Sequence, residues 1–208
     1  MITGTGRYGT TFLVELLTHL GLDTGYTPEE LATKKFKEAR AGLEYDIRKT
    51  GCPYVVKSPT FCDHAPEVIY DNNIAIEHVF VPIRDLRAAA ESRRLVVKEN
   101  VDKLSTAQRI SHWFKPKKFK GGMWHTRSTS AGTQEGILLN QLYKLMLAMA
   151  DTHIPVTLMR YPRTVKDPAY LYACLKPILQ DISYETFLVT FNKTVQPELV
   201  HRFNQQDQ

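Results

Sequence analysis

Cysteine is scarce in this chain: only Cys52, Cys62 and Cys174 occur among 208 residues. They form no metal-type spacing, and their odd number argues against a disulfide framework. Long apolar runs are also missing. None approaches the ~20 residues of a membrane-spanning helix. No secretory leader is visible, since Met1 runs straight into a strand end and a glycine-rich loop. These absences set the expectation of a cytoplasmic, reducing setting with no membrane partner. Neither an internal repeat nor a low-complexity tract divides the chain, so residues 1–208 are read as a single domain.

Charge of one sign is in moderate excess. Lysine and arginine total 27 against 22 acids, a net charge of +5. That excess favours an anionic ligand without naming it. The basic residues are spread along the chain, and only "KPKKFKGG" (115–122) is a dense cluster. A solvated loop is the commoner meaning of such a run. No nucleic-acid partner is expected, although an RNA-binding protein stands as the rival from a different class.

The hydrophobic pattern predicts alternating strands and helices. Leu13, Leu16, Leu17 and Leu20 fall at i, i+3, i+4 and i+7, a helical stripe over 10–20 that Gly21 ends. A second helix is expected around 28–41. "YVVK" (54–57) reads as a buried strand and 66–72 as a helical turn or two. "HVFVPI" (78–83) is the next strand, and Asp85 can cap the helix "LRAAAESRRLVV". Residues 98–131 are the least regular stretch, read as an insertion on the acceptor side. A long helix over 135–153 follows, then a strand at 156–160, a helix at 168–179 and a last helix within 184–204. This alternation implies an α/β fold in three layers, a parallel sheet with helices on both faces.

Ligands in such sheets sit at the carboxyl ends of the strands. Residues after the strand ends are therefore the candidates. The first strand is followed by "GTGRYGTTF", from Gly4 to Phe12. Gly4 and Gly9 have the spacing of a nucleotide-hydrolysing P-loop, G-x-x-x-x-G-K-[ST], and Thr11 stands where Ser or Thr belongs. The lysine position, however, holds Thr10, and the cation is Arg7 inside the loop. Gly4, Gly6 and Gly9 permit tight turns and close backbone approach to an oxyanion. Lys57 ends the second strand, Arg84 the third and Arg160 the fourth, so cations converge on one edge.

Four segments then resemble the sulfotransferase family, which uses 3′-phosphoadenosine 5′-phosphosulfate (PAPS) as donor. "GRYGTTF" is similar to the family's 5′-phosphosulfate loop, with Arg7 where lysine is usual. "VPIRDLRAAAES" resembles the 3′-phosphate segment, an Arg at a strand end and a Ser eight residues later, here Arg84 and Ser92. "VVKSPTFCDHAPEVI" resembles the Lys-[Ser/Thr]-Pro segment of the heparan-sulfate type, and "VTLMRYPRTVKDP" the family's late strand and turn. Departures are the short first strand, the absence of the late glycine- and lysine-bearing segment, and Pro59 where cytosolic members carry a catalytic His.

The resemblance implies a P-loop-like fold and a cofactor site of Gly6, Arg7, Tyr8, Gly9, Thr10, Thr11, Arg84 and Ser92. It implies PAPS as donor, adenosine 3′,5′-bisphosphate as product, and a small-molecule or glycan acceptor, possibly anionic. Lys57 and Arg7 would stabilise the transferring group. His64 is the expected general base, with Asp63 and His125 as alternatives. A sulfuryl group carries less negative charge than a γ-phosphoryl group, so no metal is expected. Trp113, Phe114, Trp124 and Tyr161 are candidates to stack on adenine. A small P-loop kinase is the rival enzyme.

Overall fold

The computed structural model of the chain describes residues 1–4, 8–36, 41–102, 105 and 130–196. Among these it is a mixed α/β protein with seven α-helices. Strand β3 (Val79–Ile83) pairs in parallel with β4 (Val156–Arg160), in register from Val79↔Val156 to Ile83↔Arg160. Ile2 extends this ladder. It forms parallel bridges to Phe80 on one side and to Lys57 on the other. Its N–H donates to Val56 O at 2.7 Å, and Ser58 N–H donates to Ile2 O at 3.0 Å. The expected strands at 1–3 and 54–57 are therefore present as single bridges, giving the parallel order 57, 2, β3, β4. No helix among the described residues is long and apolar enough to cross a membrane.

Side-chain alternation along β3 puts one core on each face of the sheet. Phe80 joins Ile2, Met159 and the apolar stripes of α1 (Thr10–His19), α6 (Pro168–Leu179) and α7 (Tyr184–Thr194). Val79 and Val81 instead meet Val56 and Phe61, Val68 of α3 (Ala65–Ile69), and Leu145 and Met149 of α5 (Ala131–Ala150). The Leu13, Leu16 and Leu17 stripe of α1 is buried as its spacing predicts. Gly21, at φ 85°, ends that helix. Leu22 N–H donates to Leu17 O, and Gly21 N–H to Thr18 O, both at 3.0 Å. This is the Schellman pattern, in which a left-handed glycine satisfies the last carbonyls. Asp167 caps α6 and Ser183 caps α7 through their side chains.

Some expectations need correction. The helix expected around 28–41 is only α2 (Leu31–Lys34), followed by an antiparallel hairpin of β1 (Lys35–Phe36) and β2 (Ala41–Gly42). Positions i+3 and i+4 from Leu31 are Lys34 and Lys35, so a longer helix would have no second apolar anchor. The stretch 98–131 is not irregular throughout. Helix α4 (Leu86–Asp102) runs into it, and α5 begins at Ala131 and stops at Ala150. Gly132 and Gly136 are weak helix formers that hide this start, yet Gln134 N–H closes its first turn on Ser130 O. The basic cluster 115–122, Trp113, Phe114, Trp124 and His125 lie outside the described residues, as does the end of the last expected helix.

Phe187 is fully buried, with ring centroids 5.2 Å from Tyr172 and 6.1 Å from Phe191. Phe187→Ala should cost about 3–5 kcal/mol, from lost transfer energy and the cavity left behind. Urea denaturation measures this, and a loss below ~1 kcal/mol would contradict the proposed packing of α1, α6 and α7 on one face.

Candidate functional site

The carboxyl ends of the strands form one edge, and four segments meet there. The first is the loop into α1. Gly4 holds φ 143° and Gly9 φ 78°, both in the range that favours glycine. A Cβ on Gly4 would stand 3.4 Å from Pro82 O, so the loop leaves its strand in close contact with β3. Gly6 and Arg7 lie outside the described residues. Tyr8 is buried against Ala89 and Ala90 of α4 and Leu138 of α5. Gly9 is the N-cap of α1 and offers no side chain to it. The first-turn N–H groups at Thr10, Thr11 and Phe12 thus have no partner within the helix, and the dipole there favours an anion.

The second segment carries Lys57, which is 2 % exposed. Its Nζ donates to Thr11 Oγ1 at 2.9 Å, to Gly42 O at 2.5 Å and to Glu44 Oε1 at 3.1 Å. Sequence reasoning placed Lys57 correctly at a strand end but missed both hairpin partners. The hairpin reaches it through unusual backbone. Gly42 has φ 131° and Leu43 φ 61°. Those values bend the chain so that one residue's carbonyl and the carboxylate two residues later meet the same ammonium. Leu43 is buried, and a non-glycine residue in the left-handed region persists only where surrounding packing holds it. Tyr45 N–H donates to Lys57 O at 2.9 Å, which ties hairpin to strand. No local pattern marks Glu44; only the fold brings it to Lys57.

The third segment is Arg84 at the end of β3. Its Cζ lies 5.2 Å from the centroid of the Tyr161 ring, a cation–π distance. Burial pushes its guanidinium below the ordinary arginine value, and Tyr161, Tyr8 and Asp85 partly offset this. Asp85 caps α4 by accepting Ala88 N–H at 2.8 Å. Ser92 is buried two turns along α4, one turn past the alanines that carry Tyr8. Arg93 is buried as well, at 1 % exposure, its Nη1 3.5 Å from Gln141 Oε1 of α5. Burial also lowers the Arg93 value, with Tyr8 as the offsetting charge. Arg93 and Arg94 are adjacent in the sequence but part in the structure. Arg94 in fact turns outward to Glu91 at 2.7 Å, and only Arg93 shares the buried face.

The fourth segment is Tyr161, after β4. It is 8 % exposed and its N–H donates to Ile83 O at 2.7 Å. A Cβ on Gly9 would stand 2.9 Å from Cδ2 and Cε2 of the Tyr161 ring, so the ring lies directly on the loop. This ring supports Arg84 and Gly9, which leaves little of it for an adenine.

His64 stands apart from the Lys57 group. Its Nδ1 is 3.3 Å from Arg48 Nη1 and 3.8 Å from Glu67 Oε2, in a half-exposed surface cluster with Asp46. Hydrogen bonding to Arg48 holds Asp46 down to about 2. Asp63 is exposed in the 3-10 turn before His64. A cavity of about 750 Å³ opens at the opposite end of the strands, between Met1, Tyr54, Glu77 and His78. We favour the carboxyl edge as the site because it concentrates buried cations and a helix N-terminus, the groups that bind anions.

The Lys57–Glu44 contact is testable as a pair. Glu44→Ala leaves the buried ammonium short of its carboxylate and should cost about 1–3 kcal/mol in urea denaturation. In a Lys57→Met background the same change should cost much less. Equal costs in both backgrounds would show that the two side chains are not coupled. No protein-family model, curated protein or solved structure matches this chain.

Proposed function

We propose that the chain is a PAPS-dependent sulfotransferase on a three-layer, P-loop-like fold, transferring a sulfuryl group to a hydroxyl or amine of a small-molecule or glycan acceptor. The observation that carries the reading is the buried Lys57 held against Thr11 at the N-terminus of α1. A second cationic station, Arg84 with Ser92, sits at the same sheet edge. Two stations suit a ligand phosphorylated at both ends of an adenosine, which ATP is not.

PAPS, when bound, supplies the activated sulfuryl group. The α1 N-terminus with Thr10 and Thr11 would hold the 5′-phosphate. Lys57 donates to the lone pair of Thr11 Oγ1, so the threonine O–H is left to point at an anion. Lys57, with Arg7 from the loop, would stabilise charge growing on the bridging oxygen as the sulfur–oxygen bond breaks. Arg84 and Ser92 would hold the 3′-phosphate. As the acceptor oxygen bonds to sulfur, its proton must go to a base, and adenosine 3′,5′-bisphosphate leaves. Glu44 is the better candidate base than His64, because it touches Lys57 while His64 faces Arg48 and Glu67.

Calorimetry without metal should show adenosine 3′,5′-bisphosphate binding more tightly than ADP. Arg84→Ala should weaken the bisphosphate about 10–100-fold, the worth of one charge-assisted contact. Equal affinities, or ADP binding that requires Mg²⁺, would favour a kinase instead. Lys57→Ala should lower release of the bisphosphate from PAPS in the presence of acceptor by ~10²-fold, with a smaller effect on binding. Glu44→Gln should lower turnover by ~10²-fold with little change in bisphosphate affinity, while His64→Ala leaves turnover near normal; the reverse result would restore His64.

A further inference from the structure

Tyr161 touches both halves of the site at once. Its ring lies on Gly9, the last residue of the loop before α1. The same ring carries the Arg84 guanidinium 5.2 Å from its centroid. Its backbone N–H is fixed to Ile83 O, the residue before Arg84. Tyr8, the neighbour of Gly9, is a second aromatic close enough to influence Arg84, and it is buried against Ala89 and Ala90 of α4. The loop end and the strand end are therefore one packed unit.

Resting on the reading above, we propose that Tyr161 is a positioning residue that couples the 5′-phosphate loop to the 3′-phosphate arginine. It sets Arg84 against the loop, so that the two anion stations keep a fixed separation. The coupling runs through the faces and edge of the ring. An isolated guanidinium on a strand end would swing over several rotamers. Held on a buried ring that is itself pinned to Gly9, it is ordered before ligand arrives. Selectivity for a ligand with both phosphates then depends on the loop as well as on Arg84.

The test compares two probes by calorimetry, adenosine 3′,5′-bisphosphate and adenosine 5′-phosphate, which differ only in the 3′-phosphate. Their affinity ratio in the unaltered protein measures the 3′ station. Tyr161→Leu should reduce that ratio roughly 2- to 30-fold, the range of a cation–π contact from exposed to desolvated. Tyr161→Phe should keep the ratio within about twofold, because it retains the ring. Gly9→Ala pushes on the ring from the loop side, and it should lower the ratio too, although Gly9 belongs to the 5′ station. That variant answers the question if Tyr161→Leu fails to fold. An unchanged ratio in both Tyr161→Leu and Gly9→Ala, with the unaltered protein still discriminating, would overturn the coupling and leave the PAPS reading standing. If the unaltered protein does not discriminate between the probes, the PAPS reading falls and the coupling falls with it.

Discussion

Everything at the carboxyl edge is arranged around an ammonium group removed from water. Burying a charge costs several kcal/mol after relaxation, and a structure tolerates it only when all its protons are used well. Among the partners of Lys57 are acceptors from two separate parts of the chain: Thr11 of α1, and Gly42 and Glu44 of the hairpin segment. The sheet, the first helix and the hairpin are consequently held in one register. If the hairpin shifted, Gly42 and Glu44 would be lost as acceptors. If α1 shifted, Thr11 would be lost and the helix N-terminus would lose its neighbouring cation.

Backbone strain sits where this constraint is felt. Leu43 holds a left-handed conformation at φ 61° while fully packed. Gly9 and Gly4 hold positive φ at the two ends of the loop. Of these, Gly9 has a second reason to be glycine, since any side chain would enter the Tyr161 ring. These are positions where the local chain has been bent to serve contacts far away in sequence, and such positions concentrate at functional sites.

That pattern explains what could be read from the sequence. The α1 stripe, the strand at 79–83, the Asp85 cap and the α6 helix were legible because short-range periodicity and capping decide them. The parallel alternation followed from the same signals. The hairpin at 35–42 was not legible: its residues are good helix formers, and tertiary contact overrides such a weak preference. The candidate cations Lys57 and Arg84 could be found because each ends a strand. Glu44 could not, since its partner lies 13 residues away and no motif joins them. Arg93 and Arg94 are adjacent in sequence, and only packing against α5 separates the buried one from the surface one. Tyr161 was legible as an aromatic near a strand end, but its partner Gly9 is 152 residues earlier, beyond any local pattern.

The distinction between buried and surface cations bears on what the edge can recognise. A net charge of +5 raises the local concentration of any anion and is screened by salt over about 8–10 Å. It does not select one anion from another. Arg84 differs because it is desolvated and held on an aromatic ring, and Lys57 because its buried charge is fixed beside the N-terminus of α1, so the positive potential at this edge is oriented in advance. On the proposed reading, recognition would depend on the spacing between the two cationic stations more than on the total charge. Spacing is also the property that a packed ring between loop and strand end can hold constant, whereas two flexible side chains on solvent-facing loops cannot. On the same proposed reading, an adenosine carrying phosphates at both its 3′ and 5′ positions would need such a fixed separation, and a nucleotide with all its phosphates in one chain would leave one station without a partner.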